Sequence, residues 1–259
     1  MNLNFSSFLN NIILAIIFFL ISIIRTLILL YYFLLNKKSI ELSFKLINLK
    51  TSLRLFRLSL SYYSETIIQI IKHNGLTIIL GIFYSAEIIG LITTSKTLFY
   101  FLPITFIGIF NQVGIYEYSE ALGRKAKKFI RQNYVKHILL VFFFLLTFII
   151  ISLTIGAEIY DMWTGYVYDL DTTLLILIVL NSAIFLLQST IGSVLKSANN
   201  FLKPVVCEAF ISLLAIITSF YCLSIGYNYV DIFKVFLIAS LISMIVYSYY
   251  SLIFFNKIK

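Results

Sequence analysis

Residues 8–35 read FLNNIILAIIFFLISIIRTLILLYYFLL, a run that carries a single charge. A helix needs roughly 20 such residues to cross the ~30 Å hydrocarbon core of a bilayer. Backbone groups in lipid must bond within their own segment, which leaves only helices and closed barrels as spanning structures. The period-two alternation of barrel strands is missing here and in the later apolar runs. The whole chain shares this character, with 61% hydrophobic and 12% charged residues among 259, where soluble domains have ~45–50% and ~25%. The expected fold is an all-α polytopic membrane protein. The first run reads as a retained span: it lacks a basic n-region and is followed by NKK instead of a small-residue cleavage site.

Seven spans are expected, near 9–35, 62–83, 88–110, 135–157, 172–195, 205–225 and 232–254. Basic residues mark every second connection: Lys37 to Arg57, Arg124 to Lys136, Lys196 with Lys203, and the tail with Lys257 and Lys259. The alternate connections hold only acids: Glu87, then Glu158, Asp161, Asp169 and Asp171, then Asp231. Basic loops stay cytoplasmic, so the expected orientation is N-terminus out and C-terminus in. The same segregation accounts for the formal charge of +9. Its partners are membrane lipids of the anionic leaflet, with no nucleic acid required.

The chain then divides into a first helix (1–36), a basic cytoplasmic linker (37–61) and a six-helix region (62–259). Within the linker, LKTSLRLFRLSL (49–60) has apolar residues at helical spacing and reads as an amphipathic helix on the membrane surface. Tyr160, Trp163, Tyr166 and Tyr168 suit the outer interface. Pro103 should kink the third span, whereas Pro204 falls at a helix start, where its missing N–H costs little. Cys207 and Cys222 lie fifteen residues apart on one helix, or ~22 Å at ~1.5 Å per residue, too far for a disulfide.

Four basic residues are left outside the connections. Lys234 lies within a turn of Asp231 and can reach the surface. Arg25, Lys72 and Lys96 lie deeper, with Lys72 about ten residues, or ~15 Å, from the edge of its span. A cation at a helix centre costs at least ~2.5–3.5 kcal/mol, so these three must pair or line a polar cavity. Ser61, Glu65, Gln69 and Lys72 form one stripe along the second span, and Glu208 and Asn181 mark polar faces on later ones. Two readings stay open: internal pairing with Glu65 and Glu208, or a cationic cavity for an anionic substrate, with Arg25, Lys72, Lys96 and Gln69 as the binding groups. His73 is either a packing residue or, with Glu65 and Glu208, part of an ion-coupling relay. No catalytic constellation, cofactor motif or metal-ligand spacing occurs in the sequence, so no enzyme is expected.

The second and third spans together, IIQIIKHNGLTIILGIFYSAEIIGLITTSKTLFYFLPI, resemble the helix pair that opens the C-terminal lobe of polysaccharide flippases, the O-antigen and capsule exporters of the MOP (MATE-like) transporter superfamily, with the turn and second helix in YSAEIIGLITTSKTL. A basic stretch follows in ALGRKAKKFIRQ, an aromatic step in IYDMWTG (159–165), and a turn in LKSANNFLKP (195–204). The likeness runs over roughly residues 50–255 and rests on order and spacing more than on any single motif. It implies a transporter of undecaprenyl-pyrophosphate-linked oligosaccharide in the bacterial inner membrane. It also implies that Arg25, Lys72 and Lys96 hold the pyrophosphate or acidic sugars. Full members have twelve or more spans in two lobes. The chain would correspond to the last helix of the first lobe plus the whole second lobe, and its partner would be a missing N-terminal lobe or a second copy. A multidrug/cation antiporter of the same superfamily and a non-transporting membrane assembly subunit are the alternatives.

Overall fold

The computed structural model describes residues 3–35 and 48–258, apart from the side chains of 3–15, 18, 33, 34, 54, 57, 58, 60–62, 65 and 258. The chain divides into two compact units, Met1–Leu53 and Arg54–Lys259. The first contains α1 (Leu3–Leu35) and the start of α2 (Leu49–Phe83). The second continues α2 and adds α3 (Ala86–Lys96), a π-helical turn (Thr97–Phe101), α4 (Leu102–Gly123), α5 (Lys127–Thr164), α6 (Thr172–Ser197), α7 (Leu202–Ser224) and α8 (Tyr229–Ile258). No strand occurs among the described residues. Six helical stretches among them are long and apolar enough to cross a membrane. This is the fold of a multi-pass helical membrane protein. In α1 the described apolar run, Phe19–Tyr32, is shorter than a span requires, and the expected stretch 9–35 falls partly on side chains outside the described residues.

The helices are longer than the apolar pattern suggests. α5 alone has 38 residues, ~57 Å at ~1.5 Å each, against ~40–45 Å for a bilayer with its headgroups. The basic stretch 111–134, expected as a loop, is therefore helix on both sides of a short turn at Arg124–Ala126. On the opposite face, α5 runs to Thr164 and stops on Gly165, whose φ of 65° is left-handed. That shortens the expected loop 157–171 to its last seven positions. Charge marks where a helix leaves the hydrocarbon; whether the helix stops there depends on local propensity, and Ala, Leu, Arg and Lys sustain it. For the same reason the expected surface helix 49–60 is not separate, since its residues run straight into α2. The rest of the expected linker, 37–47, lies outside the described residues.

Pro103 acts one turn upstream of itself. Its ring would collide with the carbonyl of residue 99, and it has no N–H to give that group. The helix answers with the π turn at Thr97–Phe101, and Pro103 sits in the first turn of α4. Such a bulge re-aims the helix without breaking it.

In the second unit α6 is the central helix, with 67% of its span buried against 17–33% for the others. It packs on α4, α5 and α8, and α7 packs on α8. Lipid supplies no hydrophobic force between helices, so close packing depends on small residues. α6 supplies them at Ser182, Ala183, Ser189, Thr190, Gly192 and Ser193. At Gly192 the approach is closest: a Cβ there would lie 2.9 Å from the Tyr247 ring of α8. Asp171, expected as a solvated loop acid, caps α6 by accepting the Thr173 N–H at 3.2 Å.

Candidate functional site

The polar faces noted in the sequence meet inside the six-helix unit. On α2, Lys72 is 3% exposed, and its outward neighbours Ile70, Ile71 and Ile78 turn the helix so that the lysine points at the bundle. Its Nζ donates to Ser240 Oγ of α8 at 3.1 Å, and Ser240 Oγ donates to Asn181 Oδ1 of α6 at 2.6 Å. One turn earlier, Gln69 Nε2 donates to Glu208 Oε1 of α7 at 2.8 Å. The other carboxylate oxygen of Glu208 accepts from the Tyr247 hydroxyl at 2.6 Å. A single polar cluster thus ties α2, α6, α7 and α8 together at mid-bundle, with Glu208 itself 1% exposed.

Lys96 is the second buried cation, 5% exposed where α3 enters the π turn. It makes no hydrogen bond or ion pair among the described residues, yet lies close enough to Lys72 for the two charges to interact. Lys72 likewise forms no ion pair within 4 Å among them, although the charge of Glu208 acts on it through space. Five further buried polar atoms in the unit have no hydrogen-bond partner among the described residues: Gln69 Oε1, Tyr100 Oη, His137 Nε2, Ser182 Oγ and Gln188 Oε1. Buried polar groups are nearly always satisfied, so a set left open marks strain, water or a ligand.

Of the expected site residues, the structure brings Gln69, Lys72 and Glu208 into one cluster, with Lys96 near Lys72. His73 lies within the field of both lysines. Its ring packs edge-on against Tyr100 at 4.5 Å and Phe101 at 5.5 Å between centroids, the environment of a packing residue. Arg25 belongs to the first unit and is exposed on α1. The Glu65 side chain lies outside the described residues. Lys234 pairs with Asp231 at 2.7 Å, as their spacing suggests.

Ser240 and Tyr247 are the members that sequence reading missed. With Ser243 and Ser251 they recur at spacings of three, four and four along α8, all at most 3% exposed. That stripe is legible in the sequence but carries no charge to draw attention. Asn111, read as the start of a loop, is instead a buried tie inside α4. It accepts from Thr190 Oγ1 at 3.0 Å and donates to Ser189 Oγ at 3.3 Å.

Among the described residues no three His, Cys, Asp or Glu side chains converge on one point. The chemistry available is two buried amines and directed hydrogen bonds in a low-dielectric interior, where a bound anion would favour the charged form of the amines. Compared with protein-family models, curated proteins and solved structures, the chain matches none of them.

Proposed function

We propose that this protein is a bacterial inner-membrane flippase lobe that moves undecaprenyl-pyrophosphate-linked oligosaccharide from the inner to the outer leaflet. In this reading it has seven spans, with its N-terminus outside and its C-terminus inside. The observation that carries the proposal is the pair of buried cations. Lys72 and Lys96 are within reach of each other's field, and the one described carboxylate among them, Glu208, is already held by Gln69 and Tyr247. A pyrophosphate would offset the excess positive charge and fill open hydrogen-bonding positions. The order and spacing of the flippase-like segments support the same substrate class.

Both lysines face the inside of the unit, so the substrate reaches them only when α2 and α3 part from α6 and α8. In alternating access, the rocking of one bundle against another around a midplane site would have to be coupled to that opening within this bundle. The antiporter alternative would instead centre on Glu208.

The test is a binding comparison with the purified full-length protein in nanodiscs. Undecaprenyl pyrophosphate should bind at least tenfold more tightly than the phosphate-free alcohol undecaprenol, and Lys96→Gln should remove most of that preference. Equal affinity for the two lipids would overturn the reading.

A further inference from the structure

At one end of the second unit, the start of α5 and the end of α8 enclose a cavity of about 480 Å³, lined by Lys127, Lys128, Arg131, Tyr134, Leu252 and Phe255 among others. We infer that this cavity binds the headgroup of an anionic glycerophospholipid, with the phosphodiester against the three cations and an acyl chain along α5 and α8.

Position supports the assignment. From Arg131 to Trp163 along α5 is 32 residues, or ~48 Å, and from Tyr229 to Asn256 along α8 is 27 residues, or ~40 Å. Both distances bracket the ~40–45 Å of a bilayer with its headgroups. With Trp163 and Tyr229 at one interface, the cavity lies at headgroup level on the other.

Charge and shape agree. Lys127, Lys128 and Arg131 are exposed and form no ion pair among the described residues, whereas nearby Arg124 is held by Glu120 at 2.6 Å. The back wall is fixed: the buried Tyr134 donates its hydroxyl to Ile191 O at 3.1 Å, and its ring lies 4.8 Å from that of Phe255. Val135 and Leu252, 49% and 64% exposed, continue the walls on the lipid side as an apolar track. The volume matches about sixteen waters at ~30 Å³ each, room for a headgroup and more than a lone ion needs. Basic pockets between spanning helices are a recognised setting for such headgroups.

The test uses the purified full-length protein in neutral detergent, titrated with phosphatidylglycerol or phosphatidylcholine and read by native mass spectrometry. One phosphatidylglycerol should be retained in preference to phosphatidylcholine. Each cation near an anionic headgroup is worth a factor of roughly five, so Lys128→Gln with Arg131→Gln should weaken retention at least tenfold. Asn256→Trp, which fills the cavity without removing charge, should do the same. Lys125→Gln with Lys136→Gln, an equal loss of charge outside the cavity lining, should change it less than twofold. An equal loss in that control, or equal retention of both lipids, overturns the site. Displacement of the lipid by millimolar inorganic phosphate overturns it too, because the cavity would then be a free-anion site.

Discussion

Gln69 Nε2 donates to Glu208 Oε1 across 2.8 Å, while the Tyr247 hydroxyl holds the other carboxylate oxygen at 2.6 Å. Three helices, α2, α7 and α8, therefore share one buried carboxylate. Removing a single donor tests how much that sharing contributes. Interhelical hydrogen bonds in membranes average ~0.6 kcal/mol and reach ~1.7. Tyr247→Phe should sit near the upper end, because the bond is short and fully buried. Reversible unfolding in mixed micelles, wild type against variant, would show it. A change below ~0.3 kcal/mol would mean that Glu208 is held by its remaining partners alone.

The same tyrosine ring meets α6 at Gly192, where an added Cβ would lie 2.9 Å from Cδ1 and 3.0 Å from Cε1. The Phe201 ring, 5.7 Å from that of Tyr247 between centroids, would itself lie 3.4 Å from the same Cβ, so the added methyl meets two rings at once. Gly192→Ala should destabilise the bundle by roughly 1–3 kcal/mol, as overpacking does. In the double variant with Tyr247→Phe the penalty should persist, since the collision is with ring carbons and not with the hydroxyl. If Tyr247→Phe relieves it, the hydrogen bond rather than the packing limits the approach.

Lys72 and Lys96 should part company under substitution. Lys72 donates to Ser240, and its loss leaves that hydroxyl and Asn181 to rearrange. Lys96 holds no described partner, so Lys96→Leu should raise stability by ~1–3 kcal/mol, recovering part of what a central cation costs. The same substitution should weaken binding of undecaprenyl pyrophosphate. A more stable protein with less affinity is the mark of a functional charge kept at structural expense. Lower stability together with unchanged affinity would show instead that Lys96 is a pairing residue.

How far the sequence reached depends on what each feature responds to. Hydrophobic length responds to the bilayer, so the six apolar spans of the second unit are legible, and so is the polar stripe of Gln69 and Lys72, whose cost in lipid makes it conspicuous. Helix ends respond to propensity and turn geometry. Asn111, read as the start of a loop, lies on α4 because nothing in that stretch stops a helix before Gly123, and Lys127, Lys128 and Arg131 already belong to α5. Ser240 was missed because an uncharged hydroxyl costs little by itself; its importance comes only from Lys72 arriving across the bundle. The π turn is a consequence of Pro103, but its placement at Thr97–Phe101 is decided by which carbonyl the ring displaces. His73, which the sequence leaves open between packing and relay, packs its ring against Tyr100 and Phe101.

Orientation is open to a direct measurement. Ala126 lies in the turn between α4 and α5, and Val167, 67% exposed, follows the far end of α5. With Cys207 and Cys222 replaced by alanine, Ala126→Cys and Val167→Cys should react with an impermeant maleimide from opposite sides of the membrane. Val167→Cys should label in intact cells, and Ala126→Cys only after permeabilisation. Labelling of both in intact cells would remove the inside-positive orientation and the helix alignment built on it.

Expressed by itself, this chain should insert in the membrane without restoring glycan export to a strain lacking its flippase. Alternating access requires two bundles moving about a site between them, and the described residues supply one such bundle, centred on α6. Its outer faces are apolar, as the exposed Ile70, Ile71, Ile78 and Ile82 of α2 show, so insertion alone is tolerated by lipid. Arg25, exposed on α1, makes the opposite demand: at roughly ten residues from the helix end it needs a polar neighbour or a route to the surface. A second lobe would provide that neighbour, and so would a second copy related by a two-fold axis along the membrane normal, which keeps both copies in the same orientation. Co-expression with the five helices that would complete the first lobe should therefore restore export where the chain alone does not. Crosslinking of the active form should then show one chain of each kind. Export by a form that crosslinking and detergent sizing show to be strictly monomeric would overturn the half-transporter reading, because one bundle would then do what the mechanism assigns to two.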